Sequence, residues 1–182
     1  ASLKELCEFT SVTPAVVNAL VKKGICEESE ERIERTVDPD SSNREGSYKS
    51  DPIMLTPAQE KVYNEIKNKL EAKENGVGLL HGVTGSGKTK IYLKLIDDII
   101  TEGKTAILMV PEISLTPQTL ALLYERYGRK TAVFHSGLSI GERLSEWQRV
   151  KNGEATIAVG TRSAVFAPLE NIGLIIIDEE QE

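Results

Sequence analysis

An apolar run, a glycine loop and an amphipathic helical pattern follow one another between Val77 and Ile100, and no other stretch restricts the fold as much. Gly82-Val83-Thr84-Gly85-Ser86-Gly87-Lys88-Thr89 fills every fixed position of the G-x-x-x-x-G-K-[ST] phosphate-binding pattern. Glycines let such a loop curl until backbone N–H groups point inward at a triphosphate. Lys88 would bring a charge to the β/γ-phosphates and Thr89 a hydroxyl to Mg²⁺. Val77 to Leu80 reads as a buried parallel strand leading into the loop. Ile91, Tyr92, Leu95, Ile96, Ile99 and Ile100 recur at helical spacing after it, and Gly103 is a stop signal. Strand, loop and helix in that order set a helix N-terminus against the phosphates.

From Thr56 onward helix and strand patterns alternate, which predicts an α/β fold: a parallel sheet with helices on both faces. Strands are expected at Val77 to Leu80, Thr105 to Val110, Thr131 to Phe134, Thr156 to Val159 and Leu174 to Ile177. Helices are expected at Pro57 to Lys73, Lys88 to Glu102, Pro117 to Tyr127 and Gly141 to Lys151. Upstream, Ser2 to Glu5 forms a capping-box pattern, and Thr13-Pro14 opens a second short helix with Val16, Val17, Leu20 and Val21 for its buried face and Gly24 as its end. Two such helices fit a helix-turn-helix that a winged-helix module would extend. Its exposed set, Ala15, Asn18, Ala19, Lys22 and Lys23, suits a protein-contact module equally well. Glu27 to Asp51 is acidic and then rich in Ser, Asn, Gly and Pro, a linker composition, although Arg32 to Val37 could form a wing strand. The division that follows is a partial winged-helix-like module over 1–40, a linker over 41–54 and a nucleotide-binding lobe over 55–182.

The 182 residues carry a net charge of −6, which argues against binding nucleic acid through a broad basic surface. Any such contact must be local. No apolar run approaches membrane-spanning length and no signal pattern opens the chain, so no membrane partner is expected and the cytoplasm is the expected compartment. Cys7 and Cys26 read as free thiols. The chain reads as cropped at both ends, starting without Met and stopping just after an acidic cluster.

That cluster, Asp178-Glu179-Glu180-Gln181, follows the apolar Leu174 to Ile177 and so falls on the rim where ligands bind in open α/β sheets. Asp178 would hold Mg²⁺ and Glu179 would polarise the water that attacks the γ-phosphate. Gln59 has two competing uses: closing a capping box with Thr56 around Pro57, or offering its amide to the adenine edge. Pro111, Glu112, Ile113 and Ser114 follow one strand, and Thr161, Arg162 and Ser163 another, on the same rim. They suit contacts to a nucleic-acid phosphate chain, or serve only as turns that cap helices.

Taken together, Gly82 to Thr89, Val110 to Gln118, His135 to Ser139, Gly160 to Ala164 with Phe166-Ala167-Pro168, and Asp178-Glu179-Glu180 resemble the first RecA-like motor lobe of the PriA family, superfamily 2 DNA helicases of bacterial replication restart. The resemblance runs from about Leu55 to the end, and less specifically through Ala1 to Asp40 as a winged-helix module. It implies ATP and Mg²⁺ as cofactors, Lys88, Asp178 and Glu179 as catalytic residues, Gln59 as the adenine reader, and the loops from Pro111 and Thr161 as single-stranded DNA contacts. It further implies 3′-to-5′ movement, forked DNA as substrate, and primosome and single-strand-binding proteins as partners. Gln181 stands where the family usually has His, at a position between nucleotide and moving lobe, and cannot become charged there. A second lobe, its arginine finger and a zinc-binding module lie outside these residues. A further strand is expected between the phosphate-loop strand and the Asp178 strand, so these residues alone should bind ATP weakly and unwind nothing. A duplex-DNA translocase and a nucleotide-switched binding module are the alternatives.

Overall fold

Four parallel strands form the sheet, in the order β2-β3-β1-β4. They are β1 (Thr105–Met109), β2 (Thr131–Phe134), β3 (Ile157–Gly160) and β4 (Ile172–Ile177). The computed structural model describes residues 6, 7, 10, 12–27, 51–72, 76–83 and 85–178. The Ser2 capping box, the wing segment at Arg32, Thr84, Glu179 and Gln181 lie outside the described residues. The chain divides into two compact units, Ala1–Glu34 and Arg35–Glu182.

In the first unit, α1 (Pro14–Lys22) begins after Thr13 with Pro14 at its first position and ends before Gly24. Val17 is buried, whereas Val16, which the helical pattern assigns to the inner face, is 46% exposed. Ala15, Asn18, Ala19, Lys22 and Lys23 are all exposed, as the pattern requires.

In the second unit, α2 (Pro57–Glu71), α3 (Lys88–Thr101), α4 (Pro117–Tyr127) and α5 (Ile140–Lys151) alternate with the strands. Local chemistry accounts for their starts. Thr56 and Gln59 close a capping box before α2, Ser139 and Glu142 close another before α5, and Thr116 Oγ1 accepts from Thr119 N before α4. Strand alternation then sorts the core. Ala106, Leu108 and Val110 of the β1 segment, with Ile157, Val159 and Ile176, pack against Tyr92, Leu93, Ile96 and Ile99 of α3 and Leu123 and Tyr127 of α4. Ile107, Ala132, Phe134 and Ala158 pack on the opposite face against Val150 of α5 and against Ala164 and Ala167. Helices thus cover both faces, as expected. Each fully buried Ile or Leu contributes about 1.5–3 kcal/mol, and Ile96, Ile99, Ile107 and Ile157 are all at most 1% exposed.

One expected strand does not form. Residues 76–80 take no regular structure, and Val77 and Leu79 are 101% and 74% exposed. A strand exists only where a neighbour completes its ladder; β4 pairs with β1 along one edge, and no described strand pairs with its other edge. Gly76 and Gly78 lower the local strand preference further. β4 itself is covered on one face only: Ile176 is buried while Ile175 and Ile177 are 51% and 57% exposed.

Candidate nucleotide site and nucleic-acid rim

Parallel strands deliver their C-terminal ends to one rim, and the ladder continues onto it. Val110 N donates to Gly160 O at 2.9 Å and Asp178 N to Met109 O at 2.8 Å. The segments after β1, β2, β3 and β4 therefore emerge side by side, bringing together Pro111 to Ser114, His135 to Ser139, Thr161 to Ser163, and Asp178.

The glycine loop runs into α3, whose N-cap, Gly87, sits in the left-handed region at φ 82°. The positive φ favours glycine, and a Cβ there would lie 2.4 Å from Gln59 Nε2, displacing that amide. Lys88 folds back inside the curl, where its Nζ donates to Gly82 O at 2.7 Å and to Val83 O at 3.5 Å. A cation held among backbone carbonyls at a helix N-terminus can exchange those oxygens for phosphate oxygens with little movement. Gly82, Val83, Gly85 and Ser86 line this curl, and Thr89 is exposed at the second position of the helix.

Gln59 is built into the loop's support. Its Oε1 accepts from Thr56 N at 2.9 Å and its Nε2 donates to Ser86 O at 2.8 Å. The capping-box use is thus realised, and the second amide atom ties the start of α2 to the phosphate loop. Each amide atom still keeps one hydrogen-bonding position, a second lone pair on Oε1 and a second N–H on Nε2.

Asp178 is brought to the same helix by a residue that the helical pattern had assigned only to packing. Tyr92 Oη donates to Asp178 Oδ1 at 3.2 Å, across 86 residues of sequence. Burial first, and the Asp178 carboxylate next, push the Tyr92 phenol up to about 12, so it remains a donor at neutral pH. Nothing local marks this role; the one available signal is a tyrosine at a core position, whose hydroxyl needs a partner.

A Mg²⁺ ion shared with nucleotide phosphates needs only one or two protein groups, because water and phosphate complete its octahedron. Thr89 and Asp178 are of the right chemistry, both oxygen donors. No cluster of three or more His, Cys, Asp or Glu suited to an all-protein metal cage occurs among the described residues.

On the rim, Thr161 N and Ser163 Oγ donate to Phe134 O at 3.1 and 3.3 Å, fixing the turn after β3 against β2. Arg162 and Phe166 are exposed there, Phe166 by 80%. In the loop after β1, Ile113 is 74% exposed and the Glu112 carboxylate accepts a hydrogen bond from Ser136 Oγ. That bond joins two of the rim loops. No described helix is long and apolar enough to cross a membrane.

Comparison with known proteins identifies the family. Residues 52–180 match the family described as type III restriction enzyme, res subunit. The chain is 46% identical over 178 residues to replication restart protein PriA of Bacillus subtilis, covering 98% of this chain and 22% of that protein. It is 39% identical over 180 residues to the protein of that name from Synechocystis, covering 99% of this chain and 21% of the relative. Against the one from Chlamydia trachomatis it is 38% identical over 179 residues, covering 98% and 23%. The chain spans about a fifth of the length of these curated relatives. With the parallel sheet, the phosphate loop at a helix N-terminus and Asp178 on the rim beside it, the chain belongs to the family described as type III restriction enzyme, res subunit, as an α/β, RecA-like domain similar to part of the replication restart protein PriA.

Proposed function

We propose that residues 55–182 are the phosphate-binding lobe of an ATP-driven 3′-to-5′ DNA helicase that acts on forked DNA in replication restart, with 1–40 as a winged-helix module and 41–54 as the linker. Primosome and single-strand-binding proteins would be its partners, in the cytoplasm. The observation that carries the reading is the convergence on α3 of Lys88, curled inside the glycine loop, and Asp178, bonded through Tyr92. Gly82 to Thr89 would hold the triphosphate, Gln59 the adenine edge, and Thr89 and Asp178 the Mg²⁺. The ion would neutralise charge developing on the phosphates. Glu179 would polarise the attacking water, and Gln181 would face the moving lobe. Pro111, Glu112, Ile113, Ser114, Thr161, Arg162 and Ser163 would grip one strand of DNA, chiefly through its phosphates, a local contact of the kind that a net charge of −6 favours over a broad basic surface.

The family's description as a restriction subunit favours a duplex translocase. Identity of 38–46% to replication restart proteins over nearly the whole chain weighs more, and strand displacement on forked DNA separates the two. The primary test is ATP hydrolysis by the full-length protein with and without a single-stranded oligonucleotide. DNA should stimulate turnover, and Lys88→Ala should lower kcat/KM on the order of 100-fold. Turnover indifferent to DNA, or unchanged in Lys88→Ala, would overturn the reading.

A further inference from the structure

Tyr92 lies four residues after Lys88, one turn along the same face of α3. Its ring belongs to the core cluster with Leu93, Ile96, Leu108 and Ile176, and the residue is 9% exposed. Packing alone asks for phenylalanine there, because a tyrosine in an apolar layer must find a partner for its hydroxyl or lose the cost of burying it. The partner it finds is the carboxylate at the end of β4, at 3.2 Å.

The backbone of Asp178 is already held, its N–H donating to Met109 O at 2.8 Å. What remains free is rotation of the carboxylate about its own two torsions. A hydroxyl donating to Oδ1 restrains that rotation and occupies one of the two carboxylate oxygens. Since the donor stands on the helix that begins with Lys88 and Thr89, the bond also sets the acid's position relative to the phosphate loop.

We infer that Tyr92 is a positioning residue for nucleotide-bound Mg²⁺, holding the Asp178 carboxylate in register with the phosphate loop. The inference rests on the ATPase reading above and adds to it the group that orients the metal-binding acid. Partners that orient metal ligands typically change metal affinity 10–100-fold when removed.

The test uses the full-length protein and a fluorescent ATP analogue whose binding is followed as Mg²⁺ is raised from an EDTA baseline, alongside steady-state turnover and thermal melting. Tyr92→Phe, which keeps the ring, should bind the analogue like the parent in EDTA, require about 10-fold more Mg²⁺ for half-maximal tightening, and lose kcat more than KM. Combined with Asp178→Ala, the Tyr92→Phe change should shift the Mg²⁺ dependence no further, because it acts through that carboxylate. A Mg²⁺ titration of Tyr92→Phe that overlays the parent would overturn the inference. So would a shift of equal size in the Asp178→Ala background, or weakening that is the same in EDTA and in Mg²⁺, whether or not the melting temperature falls. Lys88→Ala tests the underlying reading separately: it should weaken analogue binding at every Mg²⁺ concentration, and unchanged binding and turnover there would remove the ATPase reading whatever Tyr92 does.

Discussion

Gly160 is the last residue of β3, and its missing side chain is what lets the rim close. A Cβ at this position would lie 1.8 Å from Phe134 O, the atom that accepts from Thr161 N and Ser163 Oγ. The neighbour is backbone, so it cannot rotate aside; either strand β2 or the Thr161 turn must move. Gly160→Ala should therefore destabilise the protein by about 1–3 kcal/mol or more, as overpacked cores do. It should also weaken single-stranded DNA binding if the turn carries that contact. Urea melts and fluorescence anisotropy with a labelled oligonucleotide measure the two effects. Gln59 shows a different economy at the same scale. One amide closes the helix cap and clasps the phosphate loop at once, so its spacing from Thr56 revealed the first use while the second depended on where Ser86 arrives in space.

At the scale of elements, α5 is fastened to β2 by a buried ion pair that its sequence disguises. Glu146 and Arg149 are spaced i,i+3, a pattern usual on solvated helix faces, yet they are 0% and 4% exposed. Glu146 Oε2 accepts from Val133 N at 2.9 Å, and Arg149 bonds both carboxylate oxygens and, through its other terminal nitrogen, the carbonyls of Arg129 and Thr131. The pair thus orients the strand that leads to His135 and Ser136. Glu146→Ala leaves a buried guanidinium without its anion and should cost about 3–5 kcal/mol in a urea melt. The double change Glu146→Leu, Arg149→Met should cost less than that, since no charge is then stranded. The same scale explains the strand that did not form. An apolar run such as Val77 to Leu80 states a preference, but pairing is a property of two segments, and no described strand runs along the far edge of β4.

Across the whole molecule, buried phenols give stability a pH dependence of definite sign. Burial raises the pKa of Tyr127 far above the ordinary value near 10, with the Asp97 carboxylate adding to the effect, and raises Tyr92 to about 12. Tyr63 shifts upward too, by burial and then by its bond to Asp98. Above pH 10 the unfolded chain releases these protons while the folded chain keeps them, so the unfolded state binds fewer protons and stability falls as pH rises. The contribution is complete below pH 10, declines from there through about 12 for Tyr92, and continues to decline for Tyr127. Denaturant midpoints should hold up to about pH 10 and drop above it, and Tyr127→Phe should flatten that drop even though it forfeits the bond from Tyr127 Oη to Leu93 O.

Where the determinants are short-range, sequence alone settled the outcome. Thr56, Thr116 and Ser139 start α2, α4 and α5 because a cap and its N–H partner lie three residues apart. The glycine loop and Lys88 sit at the N-terminus of α3 because spacing puts them there, and Asp178 and the Pro111 and Thr161 loops each follow an apolar strand pattern, which in a parallel sheet carries them to one rim. Only tertiary structure decided that Tyr92 meets Asp178, that Gln59 clasps Ser86, that Glu146 and Arg149 are interior, and that residues 76–80 pair with no described strand. Caps and periodicity act within a turn or two of chain. Burial and pairing depend on which distant segment arrives opposite, and that is set by packing of the whole sheet and its helices.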